Sequence, residues 1–363
     1  MDSILQNALQ YLHDEVRPQA QEIDLSVDAL RQALDGLCSR DLMALKRPAE
    51  YGGPALTEES FRVFQEETAR VSGALAFLQT QHQSAVSMIA KSENSELKGE
   101  YLPKMANGEK LVGIGFSQLR RPGPPVMRAV ESDGGYLLTG HVPWITGWSF
   151  YPEFLIGATL PDGSALFAVV PLADSDSQGT IRISEPMELA AMGTAMTVTA
   201  DFDGWFVPSS LVAFIKPTGW IQNNDMINIA LQGHFALGCA LGALDVLKAA
   251  ADKRGFAFLH DVHGYLSQEL ADCKVETELA QKGPESDSNS ASGITEQRLN
   301  VRAWAIDLAV RCAHASVTAS SGAANSLKHP AQRIYREALV YTVSAQTTPI
   351  MEATLKRLTR LNG

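Results

Sequence analysis

Over residues 1–110, apolar positions recur three and four apart, the period of helices that each bury one face. Ile4, Leu5, Ala8, Leu9, Leu12 and Val16 form one such stripe; Ala29, Leu30, Ala33, Leu34 and Leu37 form a second behind an acidic first turn at Asp28. Pro48-Ala49-Glu50-Tyr51-Gly52-Gly53-Pro54 breaks the pattern, and Thr57-Glu58-Glu59 restarts a helix with a cap-like hydroxyl. From about Leu111 the period drops to two. Met127–Glu131 and Tyr136–Ile145 flank Ser132-Asp133-Gly134-Gly135, and Phe154–Leu160 and Ala165–Leu172 flank Pro161-Asp162-Gly163, which reads as two hairpins. Ile181–Ile183 and Met196–Val207 alternate in the same way. After Ile221 the helical period returns, and Leu231, Phe235, Leu237, Leu241, Leu244 and Leu247 suit a long helix apolar on nearly all sides, as inside a bundle. The polar stretch Gly283–Gly293 predicts a mobile helix–helix loop, followed by two helices at about Thr295–Ser320 and Pro330–Leu358. The predicted architecture is α+β and multi-domain: a helical N-terminal domain (1–110), a middle β-domain (111–215) and a C-terminal helical bundle (216–363).

Composition narrows the function classes. With 363 residues, 45% hydrophobic and 20% charged, the chain can bury a large core without staples. A net charge of −11 argues against a protein that tracks nucleic-acid phosphates, although a local basic group or helix N-terminus can still hold one phosphate. Cys38, Cys239, Cys273 and Cys312 are widely spaced and form no CxxC pair, which fits reduced, buried thiols of a cytoplasmic protein and neither a zinc site nor a disulfide framework. No signal-peptide pattern is visible and no apolar run is read as a membrane span, so no membrane partner is expected.

Five segments, in order, resemble those of the acyl-CoA dehydrogenase family. Pro48–Gly53 resembles its P-x-E-Y-G-G turn, and Tyr101–Gly108 its YLP approach to the β-domain. Thr139–Gly147 is similar to its N-G-x-K-x-W-I-T-N/G strand, Met192–Pro208 to its M-G … F-D-x-V-x-V-P stretch, and His329–Ala338 to its H-P-V-E-R-L-Y-R-D-A helix. The resemblance spans essentially the whole chain. It implies a helical N-terminal domain, a β middle domain and a C-terminal four-helix bundle, bound FAD, and a homodimer or homotetramer acting on a small molecule such as an acyl-CoA.

Site residues carry over one at a time. Trp144 and Thr146 stand two apart on one strand, so their side chains are expected to share a face; the resemblance puts the indole beside the flavin ring and the hydroxyl near N5. Ser117 aligns with a hydroxyl residue of the family's flavin loop, but Leu119-Arg120-Arg121-Pro122-Gly123-Pro124-Pro125 replaces the small A-G-S-D stretch; Arg120 or Arg121 could meet a phosphate there, or both could be solvated loop charges. A set reaching across a dimer interface would comprise Lys253 or Arg254 with Phe256, His263 or Gly264 further on, then Thr318 and Gly322 in a turn that lacks the family's glutamine and two of its glycines. Thr347 keeps a threonine that the family places by the flavin.

The base is missing. The reaction implied by the resemblance removes an α-proton while a β-hydrogen leaves as hydride, and the proton needs a carboxylate within hydrogen-bond reach. The family's glutamate falls on Ala345, and its alternative location on Asn228. Asp225 and Glu352 are the nearby carboxylates that could substitute, and His82 could serve the flavin in a monooxygenase of the same fold; each is more ordinarily a surface residue. The function expected is an FAD-dependent oxidoreductase of acyl-CoA dehydrogenase type acting on a CH–CH group, with atypical or reduced activity. The alternatives are a flavin-dependent monooxygenase of the same fold, or a non-catalytic homologue with a binding or assembly role.

Overall fold

The computed structural model describes residues 3–54, 56–282 and 291–359. The first apolar stripe forms α1 (Ser3–Tyr11), a π-wound turn at Leu12–Val16 and α2 (Arg17–Leu25). Hydroxyl caps start the next helices. Ser26 Oγ accepts from Ala29 N at the head of α3 (Val27–Cys38), Thr57 Oγ1 from Ser60 N at α4 (Glu58–Val71), and Ser72 Oγ from Leu75 N at α5 (Gly73–Ala90). The short α6 (Ser95–Tyr101) leads into the β-region.

Both expected hairpins form. The strands are β1 (Val112–Gly115), β2 (Met127–Ser132), β3 (Gly135–Thr146), β4 (Glu153–Thr159), β5 (Ala165–Pro171), β6 (Thr180–Ile183), β7 (Thr197–Pro208) and β8 (Val212–Lys216). They make one sheet in the order β6-β7-β3-β2-β4-β5-β8, with β1 added parallel to β4.

The C-terminal part consists of α7 (Trp220–Asn228), α8 (Gly233–Arg254), α9 (Ala257–Lys282), α10 (Ala291–Ser320), α11 (Pro330–Val343) and α12 (Thr348–Thr359). Of the loop predicted at 283–293, residues 283–290 lie outside the described residues, and α10 begins at Ala291. Two expectations need correction. The single helix predicted over 330–358 is two, because the chain turns at 344–347 with Ala345 in the left-handed region (φ +49°). Trp220–Arg254 is, by length and composition, apolar enough to cross a membrane, with 67% of that window buried in the fold. Its apolarity matches the core position of α8, which packs on α4, α9, α10 and α11.

The contact between α8 and α4 is too close for side chains. A Cβ on Gly238 would lie 2.1 Å from the Glu66 carbonyl oxygen, and one on Gly242 would lie 2.5 Å from that of Arg70. Beside this crossing, buried Glu66 accepts from Lys274 (2.7 Å) and pairs with His234 (3.3 Å). Burial pushes the Glu66 carboxyl up, but its two partners together bring it below the ordinary value. Gly238→Ala should therefore cost about 1–3 kcal/mol as the helices are forced apart. Gly264→Ala, on α9 with open space at its Cβ position, should be neutral or stabilising by up to about 1 kcal/mol. Urea unfolding of the two variants checks this; equal midpoints would refute the close crossing.

Candidate functional site

Trp144 and Thr146 sit at the C-terminal end of β3, where it pairs with the start of β7. Thr146 Oγ1 lies 3.0 Å from Thr197 Oγ1, and both residues are buried. That hydrogen bond uses one of the two hydroxyl hydrogens and leaves the other O–H free to donate. The ladder slips between Val142 and Ile145, so Trp144 lies inside the irregularity and strict alternation does not carry from it to Thr146. The two side chains accordingly differ: the indole is 41% exposed and Thr146 only 1%. The bulge thus corrects the expectation of a shared face.

Three of the six described non-glycine residues with positive φ, Ser149, Met192 and Met196, lie on the segment after β3 or the one before β7. Each such position costs about 1–3 kcal/mol and persists only where its surroundings hold it, as at binding sites. Here Gly147 N donates to Ala195 O (2.9 Å) and Trp148 N to Met196 O (3.0 Å), while Arg31 donates to Ser149 O at 2.8 Å.

Ser117 opens a single 3-10 turn, Ser117–Arg120, directly after β1. Gln118 Nε2 pins this turn to Gly115 O (3.2 Å) and Gly157 O (2.7 Å). Arg120 then reaches α7, its Nε and one terminal nitrogen donating to the two carboxylate oxygens of Asp225 at 2.7 and 2.8 Å. Asp225 is therefore committed as a counter-ion, which removes it as a substitute base, and Arg120 is not a free phosphate ligand. Arg121 is exposed.

His82 is also not at a site mouth. It is fully buried in α5, where Nδ1 accepts from Val112 N (2.9 Å) and Nε2 donates to Met105 O (3.0 Å). Burial pulls its pKa down to about 4 from the ordinary 6.5. The neutral ring is a strut between α5 and β1.

The two base locations converge. Ile229, just after α7, packs with Ile306 of α10 and Ile350 of α12, which brings the end of α7 to the start of α12. Asn228 folds back on its own helix, its Nδ2 donating to Asn224 O at 2.8 Å. Ala345 is exposed and Thr347 half-buried in the turn between α11 and α12. Neither location carries a carboxylate, and Glu352 lies on the exposed side of α12, paired with Lys356 at 2.7 Å.

The interface set is on the outer surface. Lys253 and Arg254 end α8, Gly255 stops it at φ +69°, and exposed Phe256 stacks on Phe258 with ring centroids 5.5 Å apart. Thr318 is exposed with its hydroxyl donating to His314 O (2.9 Å), and Gly322 has open space where a Cβ would point. His263 and Gly264 lie on α9, where His263 lines a cavity of ≈ 270 Å³ with Glu66, Asp245, Ser267 and Lys274. Neither this cavity nor one of ≈ 480 Å³ beside Trp304 and Arg357 is lined by Ser117, Trp144, Thr146 or Thr347.

Sequence reasoning missed Thr197, Arg302 and the buried pair Arg333–Glu337. An arginine set among Val301, Ala303, Trp304 and Ala305 was a readable signal for Arg302. Nothing local marked Thr197 as the partner of Thr146.

The family model for the acyl-CoA dehydrogenase N-terminal domain matches residues 2–109. A probable acyl-CoA dehydrogenase of Bacillus subtilis (strain 168) is 21% identical over 364 residues, covering 94% of this chain and 93% of its own. Residues 2–109 thus match the N-terminal domain of acyl-CoA dehydrogenases, and the similarity to the Bacillus subtilis relative runs along nearly the whole chain. Mitochondrial isovaleryl-CoA dehydrogenase of Bos taurus is 30% identical over 147 residues, 39% of this chain and 34% of that enzyme, so the chain spans about a third of that relative's length. An acyl-CoA dehydrogenase from Bacillus anthracis, solved in complex with FAD, superimposes with a TM-score of 0.79 at 19% identity, over 99% of this chain and 66% of the other. At that identity the likeness speaks for the acyl-CoA dehydrogenase fold alone. The end of β3 thus presents an exposed indole near a buried hydroxyl pair, while Arg120 is held by Asp225.

The pH dependence of stability tests the role of His82. Below pH 6.5 the unfolded chain takes a proton that the folded ring refuses until about pH 4, so this contribution is full above 6.5 and lost on falling towards 4. The stability difference between wild type and His82→Gln, from urea unfolding at pH 7, 5.5 and 4, should shrink as the pH drops; a constant difference would show that the ring titrates normally.

Proposed function

We propose that the chain is an FAD-dependent oxidoreductase of acyl-CoA dehydrogenase type, acting on a CH–CH group of a small molecule with atypical or reduced activity. The observation that carries this reading is the end of β3, where a large exposed indole precedes a buried hydroxyl pair with an unspent donor. FAD, when bound, supplies the hydride acceptor. Trp144 would pack against its ring, Thr146 or Thr197 would donate the free O–H to it, and Ser117 and Thr347 would add hydroxyls from the β1 turn and the 344–347 turn. Acyl-CoA is the substrate class that the relatives' names suggest.

The chain's own residues do little for the proton. Ala345 and Asn228 cannot accept one at neutral pH, and Asp225 is held by Arg120. Losing a positioned base lowers a rate by about 10²–10⁴, so slow turnover follows even with FAD and thioester in place. The exposure of Lys253, Arg254, Phe256, Thr318 and Gly322 supports a homo-oligomer in which one protomer completes its neighbour's cofactor site. Tyr335, Leu339 and Val343 add an exposed apolar stripe on α11.

Two measurements test the reading. The purified chain with added FAD should retain a flavin absorption spectrum through gel filtration, and Trp144→Ala should weaken retention; a colourless wild type in excess FAD sinks the proposal. Ala345→Glu should raise anaerobic bleaching of the flavin by acyl-CoA by about 10²–10⁴. No gain in a variant that still holds FAD would mean that the pocket is not shaped for a thioester.

A further inference from the structure

Five acidic or basic side chains other than histidine are buried among the described residues: Asp24, Glu66, Arg302, Arg333 and Glu337. Four are neutralised, Asp24 by Arg336, Glu66 by Lys274, and Arg333 and Glu337 by each other. Arg302, on α10, has no carboxylate partner among the described residues, and burial alone pulls its pKa down to about 10. A buried charge without a counter-charge is expensive, and only well-placed hydrogen bonds can hold it.

Its acceptors are three backbone carbonyls from two separate segments. One terminal nitrogen donates to Gln232 O, in the link between α7 and α8. The other donates to Tyr341 O (3.4 Å) and Ser344 O (3.1 Å), at the C-terminal end of α11. The last carbonyls of a helix have no partner within it, and a guanidinium fork satisfies them with charge of the favourable sign. The Nε–H has no acceptor. On one side of this clamp Asn228 lies four residues before Gln232; on the other, Ala345 and Thr347 directly follow Ser344.

We infer that Arg302 is the positioning residue of the site, locking the 344–347 turn to the α7–α8 link so that the two base locations form one rigid wall. The chemical importance of that wall rests on the function proposed above; the clamp itself does not. Ala345 sits in left-handed backbone with no glycine to ease it, and a turn held there from outside is what the clamp provides. A hydrophobic side chain of similar length would fill the space but take the guanidinium donor from all three carbonyls.

Amide hydrogen exchange on the full chain decides the point. In Arg302→Met, amides of residues 341–348 and 229–234 should exchange at least tenfold faster, while those of α4 and β7 keep wild-type rates. Arg302→Lys, which keeps the charge and can donate to the same carbonyls, should stay within about threefold of wild type. Unchanged exchange in both segments, an increase spread evenly over the bundle, or a lysine variant as fast as the methionine one would each overturn the inference. If Arg302→Met does not fold, Arg302→Lys is compared with Ile306→Ala, a neighbouring core cavity on the same helix. Lysine rescue with local protection then supports the clamp, and the same diffuse loss in both sinks it. FAD separates this inference from the proposed function. A wild type that takes up no FAD defeats the function while exchange still decides the clamp, whereas Arg302→Met holding FAD with an unaltered absorption spectrum shows that the clamp does not bear on the site.

Discussion

The carboxylate of Glu337 joins the two helical ends of the chain. Its Oε1 receives the backbone N–H of Gly73 at the first turn of α5 (3.0 Å) and a guanidinium hydrogen of Arg333 (2.7 Å). Arg333 Nε continues to Gln21 of α2 at 2.6 Å, and Arg336 pairs with Asp24 of α2 and donates to Ala190 O (3.1 Å). Burial pushes the Glu337 carboxyl up and nearby Asp24 adds to the rise, while Arg333 opposes it. A Cβ at position 73 would lie 2.7 Å from side-chain atoms of both Glu337 and Met192, so glycine there lets the carboxylate sit against the start of α5. With α11 fixed to α2, α5 and the loop before β7, the place where α11 ends is fixed too, and everything in the 344–347 turn inherits that position.

Two walls of different character result. The sheet wall, at the end of β3, has a bulged strand, an exposed indole and a buried hydroxyl pair. The helical wall, at the ends of α7 and α11, has left-handed backbone, a clamped turn and no carboxylate at either base location. The first presents a ring face and a hydroxyl donor; the second presents an alanine and an amide where the proposed reaction would need a carboxylate. The charges near the site are spent on structure: Arg120 on Asp225, Arg333 on Glu337, Arg302 on backbone carbonyls.

Two of the five motif segments that carried the resemblance hold the fold together. The His329–Ala338 helix supplies Arg333, Arg336 and Glu337 to the buried network, with His329 capping it through Ala331 N. The Tyr101–Gly108 segment supplies Tyr101, whose hydroxyl donates to Glu153 at the start of β4 (2.9 Å), and Gly108, which packs on Cys38. Such motifs can persist where the reaction has changed, because they hold helices to the sheet. That is why they identify the fold more firmly than the chemistry.

By itself the sequence determined the elements and their order. Helical stripes, the hydroxyl cap at Thr57, and turns at 132–135 and 161–163 are local signals, and local backbone energetics suffices to read them. It also determined that Ala345 and Asn228 bring no base, since that is a matter of identity alone. Only the tertiary structure decided that 330–358 is two helices, that Trp144 and Thr146 differ in exposure, and that Asp225 belongs to Arg120. It likewise decided that His82 is a neutral strut and Arg302 a buried cation held by backbone carbonyls. Each of these rests on partners dozens to hundreds of residues away, and burial sets both a side chain's charge and its freedom to act, which no local pattern encodes.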